Sequence, residues 1–170
     1  SLVDIFEAEK LGFSIKLIAS SKINEDKLVE ISAEPILLKN EKLLSNVNDV
    51  YNAIEVTGSY TGKTLFYGKG AGMEPTASAV ISDIVKIATD SVINSNFFFD
   101  TKSHLETVDT NKLKHEFYIR TSKDFDLEAS ALELYEEIDN YYIIIAENIS
   151  RNELDETFAS VKEKLIIKII

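Results

Sequence analysis

The chain has 170 residues, 45% of them apolar, with 18 basic and 29 acidic side chains for a net charge of −11, and no cysteine. That is enough to bury a core as one or two domains, and it excludes a disulfide framework and thiolate metal sites. The acidic balance opposes nucleic acid as a partner, no apolar run nears the ~18 residues of a membrane span, and no basic-plus-apolar leader is read, so a cytoplasmic protein bound to neither is expected.

A first helix is predicted over Leu2 to Leu11, with Leu2, Ile5, Phe6 and Glu9 on one stripe and Gly12 at a left-handed C-terminal cap. Strands follow: Phe13, Ile15, Leu17 and Ala19 alternate with polar neighbours, as do Val29, Ile31 and Ala33 after the polar Ser20–Asp26 connection. Ile54 and Val56 continue the pattern, Gly58 to Gly62 turns the chain, and Lys63 to Tyr67 returns as a strand. A helix is expected from about Pro75 to Ser91, its stripe being Val80, Ile84, Ile87 and Val92, with Ala77, Ser78 and Ala79 keeping the first turn thin.

Between strand and helix lies Phe66-Tyr67-Gly68-Lys69-Gly70-Ala71-Gly72-Met73-Glu74-Pro75. Three of the six glycines of the chain stand here at alternate positions. Glycine weakens a strand, so this density suits main chain that closely approaches a ligand or another backbone; the alternative is a turn that only packs. The helix N-terminus offers unpaired N–H groups and a positive dipole end, but Glu74 places negative charge there, which disfavours an anion. Lys69 is expected to point to solvent.

From Asn94 to Lys114 the composition shifts to polar and charged, interrupted by Phe97-Phe98-Phe99, which reads as a buried anchor or an exposed association patch. A boundary is placed near residue 105, giving segments 1–104 and 105–170. In the second, His115 to Thr121 alternates as a strand, Leu127 to Ile138 is periodic as a helix, and Tyr141 to Ala146 is apolar on both faces. Ser150 with Glu153 forms a capping box for a helix carrying Leu154, Phe158 and Val161, and Leu165 to Ile170 ends as a strand. The pattern indicates βαβ units. His104 and His115 read as solvated or capping residues with no metal spacing, and Glu136-Glu137 and Glu7/Glu9 as solvated helix faces. Arg120 and Arg151 are the only arginines, leaving little scope for bidentate clamps on anions.

Taken together, Leu11-Gly12-Phe13-Ser14-Ile15-Lys16-Leu17, Val47-Asn48-Asp49-Val50-Tyr51-Asn52-Ala53-Ile54, the glycine run and Ser82-Asp83-Ile84 resemble homoserine dehydrogenase over roughly residues 2 to 90, in the C-terminal part of its substrate and dimerisation domain. Asp49 stands where that family usually has glycine, and aspartate tolerates a left-handed backbone. The resemblance implies an α/β (α+β) fold with a mixed sheet, a homo-oligomer that is a dimer, and NAD(P)-dependent interconversion of aspartate semialdehyde and homoserine, the small-molecule substrates of the full-length enzyme, in threonine and methionine synthesis. It further implies that Gly70, Ala71, Gly72 and Thr76 lie at the nicotinamide end of NAD or NADP, whose carboxamide is neutral.

These 170 residues contain no strand followed by G-x-G-x-x-G, nor the family's catalytic acidic and lysine residues, so the chain alone is expected to be inactive, with no catalytic residue of its own. Residues 105–170 resemble a reduced, ferredoxin-like ACT domain. Its βαββαβ pattern is read as lacking one strand, and the loop Ser122–Asp126 lacks the Asp-x-Pro-Gly turn common at ACT effector sites, which sets threonine sensing against a purely supporting role. A free-standing dimerisation or amino-acid-sensing module is the alternative.

Overall fold

The computed structural model describes residues 1–89, 105–128, 130, 132–138 and 140–170. The Phe97–Phe99 cluster, Ser91, Val92 and His104 lie outside them.

Helix α1 (Leu2–Lys10) is opened by Ser1, whose Oγ donates to Asp4 Oδ2 at 2.6 Å, and is followed by Gly12 at φ 78°. Strands β1 (Phe13–Ile23) and β2 (Val29–Lys39) form a long antiparallel hairpin, Phe13 opposite Lys39 and Ile23 opposite Val29. Lys27 at φ 62° and the Asn24 side chain, which accepts from the Leu28 amide at 2.9 Å, close its turn. The far end of β2 then meets β8 (Lys164–Ile169) in parallel, Ile36 opposite Lys168 and Leu37 opposite Ile169. This pairing explains why Ile36, Leu37 and Leu38 are fully buried while the first half of β2 is open. Each such side chain contributes roughly 1.5–3 kcal/mol.

The sheet continues through β5 (Lys114–Ser122), β7 (Tyr141–Ser150) and β6 (Leu134–Ile138), in the order β1-β2-β8-β5-β7-β6; every pairing except β2–β8 is antiparallel. Both faces are covered. Phe117, Ile119, Ile144, Ala146 and Ile166 pack with Leu154 of helix α3 (Arg151–Thr157) and with Phe158 and Val161 beyond it. On the other face Tyr118, Ile143, Ile167, Ile169 and Leu37 pack against Ala8 of α1. The apolar character of both faces of β7 follows from this double cover.

The fold class is as expected, a mixed sheet with few helices, but four details differ. Residues 13–67 do not share one sheet: β3 (Tyr51–Gly58) and β4 (Gly62–Lys69) form a separate two-stranded hairpin. Residues 134–138 are a strand, because Leu134 to Ile138 pair with β7, and the Leu127–Ser130 stretch is a turn with Ser130 Oγ donating to the Leu127 carbonyl. The unit therefore has both middle strands, and it is the first helix that is missing among the described residues. Residues 105–113 are more than a linker, since Thr107 bridges Val29 and the Val29 amide donates to the Glu106 carbonyl at 2.8 Å. Finally, Ser1–Ser45 group with Leu105–Ile170 rather than with the hairpin, and the second unit is Asn46–His104, of which 46–89 are described. The division at 104/105 follows chain order, whereas the sheet joins strands from both sides of it.

Candidate functional site

The glycine turn belongs to the second unit. Register in the β3–β4 hairpin runs from Tyr51 opposite Lys69 to Gly58 opposite Gly62, and Tyr51 stacks on Tyr67 with ring centroids 4.9 Å apart. One step beyond the last pair, the Gly70 amide donates to the Val50 carbonyl at 3.3 Å. Asp49, just before it, has φ 57°, so the left-handed turn is kept with aspartate in place of glycine.

Two glycines of the turn are required for different reasons. A β-carbon at Gly70 would lie 1.4 Å from Asn52 Nδ2 and 2.5 Å from its Cγ, so a side chain there collides. Gly72 has space, Pro75 Cδ being 3.5 Å from its would-be β-carbon, but adopts φ 119° and ψ 159°, a conformation essentially confined to glycine. Helix α2 (Met73–Ala88) starts directly after it, two residues earlier than the Pro75 start read from sequence. Pro75 thus occupies the third helical position, where its missing N–H removes no helical bond.

Gly70, Ala71, Gly72 and Thr76 are brought together within this one junction, and all are exposed. Thr76 does not offer its hydroxyl outward: Oγ1 donates to the Gly72 carbonyl at 2.8 Å, beside the Thr76 amide at 3.2 Å on the same oxygen. Its role here is to fix the turn. The first-turn N–H groups of Met73 and Glu74 have no acceptor within the helix. Exposed main chain, absent side chains at 70 and 72 and the Glu74 carboxylate together suit a neutral carboxamide better than a phosphate.

A second cluster escaped the sequence reading. Arg120 on β5 donates through Nε to Asp4 Oδ1 of α1 at 2.6 Å, lies 4.4 Å above the Tyr141 ring and reaches Glu163 Oε1 at 3.7 Å, while the Tyr141 hydroxyl donates to Glu163 at 2.7 Å. Burial raises the Asp4 pKa, but hydrogen bonds from Arg120 and from Ser1 outweigh it and hold the carboxyl below its ordinary value. The available signal was an arginine within an otherwise apolar strand in a chain with two arginines. Glu7, expected to be solvated, is buried against the sheet and accepts from Lys10 Nζ at 2.7 Å, because α1 turns Asp4, Glu7 and Ala8 inward and leaves Leu2, Ile5 and Phe6 exposed. Glu136 and Glu137 stand on a strand, not a helix. His115 is half-buried rather than solvated; its Nε2 has no partner among the described residues, and burial pushes its pKa down.

A cleft of about 270 Å³ lies at the loop after β5, lined by Asp124, Phe125, Asp126, Ser130, Thr157 and Ser160. Phe125 forms its apolar wall, stacked on Phe158 at 4.3 Å.

The homoserine dehydrogenase family model matches residues 1–85, so the chain belongs to the homoserine dehydrogenase family. It is 52% identical over 85 residues to homoserine dehydrogenase of Helicobacter pylori, an alignment covering 50% of this chain and 20% of that protein, and 44% identical over 90 residues to the Synechocystis enzyme, covering 51% and 21%. Among solved structures, a homoserine dehydrogenase from Thiobacillus denitrificans superposes with TM-score 0.78 at 23% identity, a likeness of fold, and the S. aureus enzyme at pH 7.0 with TM-score 0.64 at 31% identity. Each superposition covers 99% of this chain and 45% of the other. Only about a fifth of the curated relatives' length is matched, by a segment that contains the whole glycine turn.

Proposed function

We propose that the chain supplies the closing part of the substrate and dimerisation domain of a homoserine dehydrogenase, and that its glycine turn meets the nicotinamide end of NAD or NADP. The cofactor takes and returns the hydride exchanged with homoserine and aspartate semialdehyde; this chain contributes a surface that receives and orients it. The observation that carries the reading is Gly72 at φ 119°, held at an exposed strand-to-helix junction where no side chain intervenes. Backbone in that region costs about 1–3 kcal/mol for other residues and clusters at ligand contacts.

The test is a hybrid enzyme in which residues 1–89 replace the matched segment of the Helicobacter pylori protein. Homoserine-dependent reduction of NAD or NADP by the hybrid is expected, and none by these 170 residues alone. A folded hybrid without activity would overturn the reading.

Assembly as a homodimer is supported by apolar side chains left exposed on α2 and the hairpin, among them Ile54, Phe66, Val80, Ile84 and Ile87. Light scattering at micromolar concentration is expected to exceed the 19.1 kDa of one chain.

A second reading, amino-acid sensing by an ACT-like unit, is favoured by the order β8-β5-β7-β6 and by the cleft of carboxylates and hydroxyls at the loop after β5. Threonine is then expected to raise Tm; an unchanged melting curve at millimolar threonine leaves residues 105–170 a supporting role.

A further inference from the structure

The family match ends at residue 85, yet the sheet begun by β1 and β2 is finished by strands that lie beyond it. Three contacts join the two stretches. β8 pairs with β2 at Ile36 and Leu37, Lys168 Nζ meets Glu34 Oε1 at 2.7 Å, and Arg120 meets Asp4 at 2.6 Å with both side chains buried. Without β8, the end of β2 would expose its hydrogen-bonding edge, and Ile36, Leu37 and Leu38 would lose their cover. Without Arg120, Asp4 would be a buried carboxylate lacking its cation. The central strand β5 also sits between the two apolar layers, so α1 on one face and α3 on the other pack against the same backbone.

We propose that residues 105–170 are not a detachable appendage but the obligate second half of the cooperative unit begun by residues 1–45, with Asp4–Arg120 as its clasp, so that whatever stabilises β5–β8 also holds α1, β1 and β2 in place. The claim is independent of any cofactor contact.

Native-state hydrogen exchange on the full chain tests it. Amides of β2, β5, β7 and β8 are expected to share one opening free energy, and Arg120→Met, which keeps the length of the side chain and strands the Asp4 charge, is expected to lower protection in all four strands together by about a hundredfold. Should Arg120→Met not fold, Ile169→Ala, opposite Leu37, is the milder variant, with an equal loss across β2 and β7 as the expected result. Protection in β2 that is weaker than in β5 and β7 in the wild-type chain, or that stays unchanged in both variants, would overturn the proposal.

Discussion

Gly70 and Asn52 are locked together: the space a β-carbon would need at position 70 is already filled by the Asn52 side chain, with Nδ2 at 1.4 Å and even Cβ at 3.0 Å. Because Cγ and Cβ of Asn52 are involved as well as the amide tip, rotation of the tip alone does not make room. Gly70→Ala is therefore expected to destabilise the hairpin by about 1–3 kcal/mol through overpacking, and Gly70→Ala with Asn52→Gly to recover most of it. Chemical unfolding of the three variants checks this; additive losses would show that the two positions do not share the space.

At Tyr118 the sign is reversed. Its ring is fully buried but its hydroxyl has no hydrogen-bond partner among the described residues, and burial pushes its pKa up. An unpaired buried hydroxyl costs about 1–3 kcal/mol, so Tyr118→Phe is expected to be neutral or stabilising, unlike most core substitutions. A drop in Tm of several degrees would mean the hydroxyl is bonded in solution.

Stability is expected to fall with acid in two stages. Burial, then the neighbouring Lys168 charge, lowers the His115 pKa from 6.5, with Glu30 and Glu34 opposing. The folded state thus favours the neutral ring, and its contribution is complete above pH 6.5 and is lost as pH falls through the lowered folded value. Asp4 is likewise lowered from 3.8, so its contribution holds above that value and disappears below it. Urea unfolding across this range should show the upper stage flattened in His115→Gln and the lower one in Asp4→Asn. If both variants keep the wild-type profile, other groups govern acid unfolding.

Local elements were legible where chain geometry dictates them. Gly12 at φ 78°, Gly62 at φ 67° and Asp49 at φ 57° all sit where left-handed residues were expected, and the Ser150–Glu153 capping box forms with Glu153 Oε2 accepting from the Ser150 amide at 2.8 Å. The glycine turn was legible for the same reason. Pairing over distance was not: nothing in the β2 sequence says that Leu37 finds Ile169, and Leu127–Ile138 carries a helical period that pairing with β7 overrides. Helix α1 misleads most, because its apolar stripe is the exposed side and its acidic side is drawn inward by Arg120, a partner far along the chain.

The most direct measurement concerns Gly72. In the active hybrid, cofactor titration by fluorescence is compared with thermal melting for Gly72→Val. Since the turn contributes main chain to the nicotinamide end, the account predicts cofactor affinity weakened about tenfold or more, from a lost backbone hydrogen bond of roughly 0.5–1.5 kcal/mol plus steric exclusion, in a protein that still folds. Unchanged affinity per folded molecule, with only a lower Tm, would contradict it and reduce the glycine run to a packing turn.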